Sequence, residues 1–270
     1  MKPYEMQTEL SGPIAQYAKD IKDFTEEKLH NVAFTAKRVK MGIYQERKGN
    51  TYMCRIRCSA NIVTPAQLEV LANLANIFGD SRIHITTRAE IQIHGIALED
   101  TIEVLKKLAA AGLSSIGGGG HTIRNIITNH DSGVHPKEEF DVQPYALALA
   151  NQMLDESDSL NLPRKVKIGF SSLPHHHDFC LTQDIGFVAV KNNGGKHGFK
   201  VYAGGGLGAK PHIGFCLRDF IPVGHTYPVV KAIKNVYHRY GNRKNKHHSR
   251  LRFLIFDDLG KEKFKSLFLL

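Results

Sequence analysis

Residues 36–59, AKRVKMGIYQERKGNTYMCRIRCS, set the fold reading. Apolar and polar residues alternate on both sides of Lys48-Gly49-Asn50. That is the period of a half-buried strand, so the stretch predicts a hairpin. Working outward, Thr64-Pro65-Ala66 is a helix start, with Thr64 as N-cap and Pro65 at the first helical position. Leu68, Leu71, Leu74 and Ile77 then keep a helical period until Gly79-Asp80 stops it. RIHITT and AEIQIHGI, up to Ile96, read as two more strands, and a helix runs from Leu98-Glu99-Asp100 to Ala111-Gly112.

The order β-β-α-β-β-α predicts an α+β architecture: a ferredoxin-like half-domain over residues 36–112, its mostly antiparallel sheet carrying helices on one face. Before it, residues 1–35 are polar with helical spacing at Ile14, Tyr17, Ala18, Ile21 and Phe24, and read as an N-terminal arm with a short helix. After it, Gly117 to Gly120 break the pattern, and residues 113–270 read as a second, larger α+β domain. Its elements are strand TIRNIITNH, a helix around Tyr145–Leu154, and strands RKVKIGFSS, DIGFVAVK and GFKVYAGG. A helix near Pro228–Tyr240, the run RLRFLIFDD and a terminal helix follow. Leu267-Phe268-Leu269-Leu270 is an abrupt apolar ending, expected of a fragment or of a chain whose partner covers it.

The 270 residues are enough for two modest domains with buried cores. No apolar run reaches membrane-spanning length, and MKPYEMQTELSGPIAQYAKD has no secretory h-region, so the expected compartment is the cytoplasm. A net charge of +10, with 15 histidines besides, predicts a surface that attracts anions. The charge is spread along the chain apart from Arg243-Lys244-Asn245-Lys246-His247-His248, which reads as a solvated loop rather than a nucleic-acid patch. Cys54 and Cys58 share a strand face, and with Cys180 and Cys216 they make neither a C-x-x-C pair nor a zinc-ribbon spacing, so reduced structural thiols are expected. His175-His176-His177 with Cys180 could hold a metal, but LPHHHDFCLTQD reads first as an exposed loop, and no metal site is predicted.

Basic residues on strands carry more. Arg55 and Arg57 are two apart, as are Lys165 and Lys167; Gln92 and His94 share a face, joined by Arg88 if that strand runs unbroken. Arg124 and Asn125 sit in a strand just after the four glycines. Any one such pair is ordinarily a solvent face opposite an apolar one. Four sets in one chain favour a shared anionic site, because guanidinium and ammonium groups suit carboxylates and oxyanions. Gly204-Gly205-Gly206-Leu207-Gly208 follows a strand like a dinucleotide-binding turn, but Lys210-Pro211 follows at once and no helix opens, so a glycine loop close to a flat ligand fits better.

YMCRIRCSANIVTP, TTRAEIQIHGI, TIRNI, LPRKVKIG and HGFKVYAGGGLG, in this order and spacing, resemble the sulfite and nitrite reductase hemoprotein family. The resemblance implies siroheme, a [4Fe-4S] cluster, and six-electron reduction of sulfite to sulfide or nitrite to ammonia. It implies Arg55, Arg124, Lys165 and Lys167 as the cations around the substrate anion. Arg57, Arg88, Gln92, His94 and Asn125 would meet the siroheme and its carboxylates, and Gly204, Gly205 and Gly206 would pass close to the ring. Members acting on sulfite resemble this Lys-x-Lys pattern, while those acting on nitrite tend to have Asn at the second position.

Three departures stand out. The family's Pro-Gly-Gly turn is Cys58-Ser59-Ala60-Asn61 here, and a common basic residue four places before Arg88 is His84. Cys54 and Cys58 have the C-x3-C spacing but fall where the anion-binding arginines lie, and no C-x5-C pair accompanies them, so the family's cluster ligands are expected outside this chain. The chain thus corresponds to one of two pseudo-symmetric halves, the N-terminal one. It is expected to be inactive alone and to present an apolar edge that a missing C-terminal half, or a homodimer partner, would cover. The electron donor stays open. A non-catalytic siroheme- or anion-binding module that self-associates is the second reading. A basic nucleic-acid-binding α+β protein ranks last, since no aromatic-studded strand accompanies the cations.

Overall fold

A computed structural model describes residues 9–47, 49–175, 177–208 and 210–268. Lys48 of the hairpin turn, His176 of the histidine run, the first eight residues and Leu269-Leu270 lie outside the described residues. The chain divides into two compact units, Met1–Gly120 and His121–Leu270. The division falls directly after the glycine run Gly117–Gly120 that breaks the sequence pattern, a little beyond residue 112, where the first domain was expected to end. Arg57 N–H donates to Ser114 O (2.8 Å) and Gly117 N–H to Lys40 O (2.8 Å), which stitches residues 113–119 to the first unit.

The first unit holds strands β1 (Ile43–Gln45), β2 (Tyr52–Arg57), β3 (Ile83–Ile85) and β4 (Glu90–Ile96), with helices α1 (Ser11–Thr25), α2 (Asn31–Lys40), α3 (Pro65–Phe78) and α4 (Thr101–Ala110). The sheet is antiparallel in the order β1-β2-β4-β3. Cys54 pairs with Ile93 and Ile56 with Ile91. These side chains form the apolar face, buried with Leu71 and Leu74 of α3 and Val104 and Leu108 of α4. Each such burial contributes roughly 1.5–3 kcal/mol before entropy is counted. The α3 start is as the sequence predicts: Gln67 N–H donates to Thr64 Oγ1 (3.2 Å), and the Gln67 side chain accepts from Thr64 N–H (3.0 Å), a reciprocal capping box.

Two expectations change here. The hairpin over 36–59 begins only at Ile43, because Ala36–Lys40 finish α2. Phe34 and Arg38, four apart, both turn inward. Phe34 stacks on Phe24 at 4.3 Å, while Arg38 donates to Ile43 O (2.9 Å) and lies over the Tyr52 ring at 5.0 Å. Alternation over so short a stretch fits a helix end as well as a strand. The arm expected over 1–35 is, in its described part, α1 and the first residues of α2. Tyr17 is buried, and its hydroxyl meets Thr101 Oγ1 at 3.4 Å, so α1 packs into the unit's core. At the other edge β3 leaves Ile83 and Ile85 exposed.

The departure at Cys58-Ser59-Ala60-Asn61 has a backbone consequence. Ala60 and Asn61 both take left-handed φ, +55° and +63°. Asn tolerates that region, but Ala has no side-chain compensation for it. Ala60→Gly is expected to raise stability by about 1 kcal/mol, read as a higher urea midpoint with an unchanged slope.

The second unit holds β5 (Ile127–Thr128), β6 (Ile168–Ser171), β7 (Ile185–Lys191), β8 (His197–Ala203) and β9 (Phe215–Pro222) in one sheet, ordered β5-β6-β7-β8-β9. The first three run parallel and the last three antiparallel. Helices α5 (Gln143–Asp155) and α7 (Thr226–Tyr240) cover it, with a short α6 (Asp178–Leu181) before β7. Phe170 and Phe187 stack at 4.6 Å and Phe199 meets Phe170 edge-on at 5.4 Å, joining β6, β7 and β8 through one aromatic core. RLRFLIFDD is helical: α8 (Leu251–Phe253) continues as a π-turn, Leu254–Leu259, into α9 (Lys261–Phe268). Among the described residues no helix is long and apolar enough to cross a membrane.

Candidate functional site

The second unit gathers its cations by parallel pairing. Ile123 bridges Val166 in parallel, with Arg124 N–H donating to Val166 O (2.9 Å) and Val166 N–H to Thr122 O (3.0 Å). Ile123 and Val166 are buried. The bridge brings Arg124 near the Lys165–Lys167 segment, and the charges of Arg124 and Lys167 both bear on Lys165. Sequence spacing anticipates the two lysines. The pairing adds Arg124, and Asn125 follows it fully buried.

Burial first, and then the charges of Arg124, Arg250, Lys167 and Arg164, push the Lys165 ammonium down to about 8. A half-buried amine surrounded by cations is what an anion site looks like before its anion arrives. Asp184 is the carboxylate that answers this charge. It is fully buried at the start of β7 and accepts from Arg250 Nε (3.2 Å) and Nη2 (2.6 Å) and from Lys167 N–H (2.8 Å). Arg252, also buried, follows two residues after Arg250.

Sequence reading missed Asp184, Arg250 and Arg252. Arg250 and Arg252 carry the same two-residue spacing as Lys165 and Lys167, but the apolar run after them drew attention away. Asp184 ends the loop-like LPHHHDFCLTQD, and the signal there was an acid placed flush against the apolar strand IGFVAV.

The glycine loop has an internal explanation. A Cβ on Gly205 would overlap the carbonyl oxygens of Leu181 and Gln183, and one on Gly206 would lie 2.6 Å from Arg252 Nη1. Gly204, at φ +84°, donates its N–H to Asp184 O (2.9 Å). The loop thus closes over Asp184 and Arg252, and its missing side chains make room for protein.

In the first unit Arg55 pairs across the sheet with Gln92, and Arg57 with Glu90. With the Gln92 amide oxygen turned toward it, Arg55 donates from Nε (3.2 Å) and Nη2 (2.8 Å), and its Nη1 lies 3.5 Å from Glu90 Oε2. Arg55 also lies over the Tyr44 ring at 5.4 Å. Both Arg57 and Glu90 are 1% exposed, so this polar face is no solvent face. Arg88 does not continue the β4 alternation. A turn over Thr86–Ala89, with Ala89 at φ +50°, separates β3 from β4. His94 is held locally, its Nδ1 2.8 Å from Glu46 Oε1.

The cysteines are scattered. Burial pushes the Cys54 and Cys58 thiols up to about 12 and raises Cys180 well above the usual range; Cys180 Sγ donates to Phe187 O. Cys216 lies on the edge strand β9, its thiol 3.4 Å from Asp219 Oδ1. His177 stacks on Tyr202 at 5.9 Å. Among the described residues no three His, Cys, Asp or Glu side chains gather as metal ligands.

The fold is thus two α+β units, the second carrying a cluster of cations around a half-buried lysine. Residues 119–269 match the nitrite and sulphite reductase 4Fe-4S domain, and residues 44–111 match the nitrite/sulfite reductase ferredoxin-like half domain. The chain belongs to the nitrite and sulfite reductase family. It is 30% identical over 234 residues to the chloroplastic ferredoxin–nitrite reductase of Arabidopsis thaliana, covering 84% of this chain and 40% of that protein. It is 29% identical over 243 residues to the NADPH sulfite reductase hemoprotein beta-component of Acidithiobacillus ferrooxidans, with 79% and 42% covered. The fold is shared with the Mycobacterium tuberculosis NirA protein, at a TM-score of 0.85 and 22% identity, over 95% of this chain and 50% of that one. The chain thus spans about 40% of the length of these curated relatives.

The family's two cofactors fare differently against these residues. Siroheme is an iron tetrapyrrole rimmed with carboxylates, and the donor set of Arg124, Lys165, Lys167, Arg250 and Arg252 fits anionic groups. A [4Fe-4S] cluster needs thiolates. The four thiols here sit in separate places, all with raised pKa, and do not fit it.

Proposed function

We propose that this chain is the siroheme- and anion-binding half of a sulfite or nitrite reductase. The carrying observation is Lys165, a half-buried ammonium whose pKa is lowered by its own burial and by a ring of cations. When bound, siroheme would supply the redox-active iron at which an oxyanion is reduced. Arg124, Lys165 and Lys167 would neutralise the anion and hold it, and Lys165 would carry a proton toward the oxygen being lost. Arg250, Arg252 and Asn125 would meet carboxylates of the macrocycle. In the first unit, Arg55 would serve the anion, and Arg57, Arg88, Gln92 and His94 the macrocycle. Gly204, Gly205 and Gly206 are proposed as the loop facing the ring, shaped by the packing beneath it. The remaining length of the reductase, supplied by a C-terminal half or by a copy-like partner, would bring the iron–sulfur ligands and the electron donor's contact.

The test is the chain reconstituted with siroheme and titrated with nitrite from pH 7 to 10. Lys165 bears its positive charge below about pH 8 and loses it above. Anion affinity should therefore be highest at pH 7 and fall up to about tenfold by pH 9. A chromophore lost on gel filtration would count against siroheme binding. An affinity flat across the range would remove Lys165 from the site.

A further inference from the structure

The buried acid in this cationic site does more than balance charge. Asp184 accepts Lys167 N–H (2.8 Å) and both Nε and Nη2 of Arg250, while its own carbonyl accepts Gly204 N–H (2.9 Å). One residue therefore fastens three segments: the approach to β6, the end of β8 with its glycine loop, and the start of α8. Bidentate Arg–carboxylate geometry fixes orientation as well as distance. Partners of this kind resist side-chain rotation, so the charge that Arg250 presents to the site is held in place.

We propose that Asp184 and Arg250 are the positioning pair of the anion site: the carboxylate locks Arg250 onto the Lys167 segment, and the locked pair governs the charge that Lys165 meets. The proposal rests on the reading of this cluster as an anion site and adds how it is kept poised. Arg250 stands second among the charges acting on Lys165, after Arg124 and before Lys167 and Arg164. Those four, with Asp184 behind Arg250, are the charged groups that bear on it from the bridged segment before β5, its own segment and the start of α8. The pair thus sets where Lys165 exchanges its proton. Above about pH 8, where the amine is largely neutral, an arriving anion offsets the surrounding positive charge and draws a proton from solvent onto it, so there the site loads proton and anion together.

The experiment uses the full 270-residue chain with neither siroheme nor anion, so it stands apart from the proposed function. The reactivity of Lys165 toward trace acylation, read by peptide mass spectrometry across pH 6–11, gives its titration midpoint. Arg250→Gln should raise that midpoint by about one pH unit, while Arg250→Lys, which keeps the charge, should leave it within a few tenths. Asp184→Asn keeps an acceptor for Lys167 N–H but leaves Arg250 unbalanced, and should lower the midpoint by about one unit. Opposite signs for Arg250→Gln and Asp184→Asn, with folded circular dichroism spectra, establish the pair. A purely structural role would instead drive both variants toward the ordinary lysine value, and that result, or no movement in either, overturns the proposal. If Arg250→Gln does not fold, Asp184→Asn against Arg250→Lys decides by the same criterion. If wild type binds no nitrite while the signs hold, only the anion-site reading fails.

Discussion

Gly205→Ala is expected to destabilise the cofactor-free chain by about 3 kcal/mol or more, measured as a lower urea midpoint. The added methyl would enter space occupied by the Leu181 and Gln183 carbonyl oxygens. Those are backbone atoms of α6 and its exit, tied to β7 through Cys180 and Phe187, so they cannot give way as a flexible side chain would. Relief requires moving the β8 end, and Gly204 is bonded there to the backbone of Asp184. The cost therefore spreads to the cationic site. Gly206→Ala is milder, since its nearest neighbour is the end of the Arg252 side chain at 2.6 Å. A Gly205→Ala chain as stable as the parent, but weaker only toward siroheme, would mean that this glycine serves the ligand and not the fold.

Lys167→Asn is expected to separate the two candidate anions. Sulfite carries between one and two negative charges near neutral pH and two above it, and nitrite one, so losing a cation costs sulfite up to about twice the Coulomb energy. At an effective dielectric near 20 one charge pair at contact distance is worth about 4 kcal/mol, before solvent competes. Allowing for that competition, the siroheme-loaded chain should lose roughly ten- to hundredfold more affinity for sulfite than for nitrite. The backbone of residue 167 stays fastened to Asp184 Oδ2 in the variant, so the change is one of charge. Equal losses for both anions would show that Lys167 does not discriminate, and would remove the argument for sulfite as the preferred ligand.

The particular elements show where sequence was enough. Thr64-Pro65 and Gln67 wrote the α3 start in local chemistry, because a capping box is satisfied within four residues and owes nothing to the rest of the chain. DIGFVAVK and GFKVYAGG were legible for a similar reason: long runs of strand formers have few alternatives. The α2 end was not, because five residues of alternation can be bent into a helix by Phe34 and Arg38 finding partners on α1 and β2. Strand β9, FCLRDFIP, also escaped notice. Its charged and exposed positions mask the period, and only pairing with β8 makes it a strand.

The candidate site divides the same way. Sequence alone determined that cations sit on alternate positions, Lys165 with Lys167 and Arg55 with Arg57, since side-chain direction along a strand follows from backbone geometry. It also determined that no C-x5-C pair is present and that the one C-x3-C pair, Cys54 with Cys58, falls among the arginines. Only the tertiary structure could decide which cations meet. Arg124 joins the lysines through the Ile123–Val166 bridge, across more than forty positions of chain. Asp184 and Arg250 find each other at 2.6 Å from sixty-six positions apart. Such pairs lower the free energy only when folding has already excluded water and brought both segments to contact, so no local pattern records them.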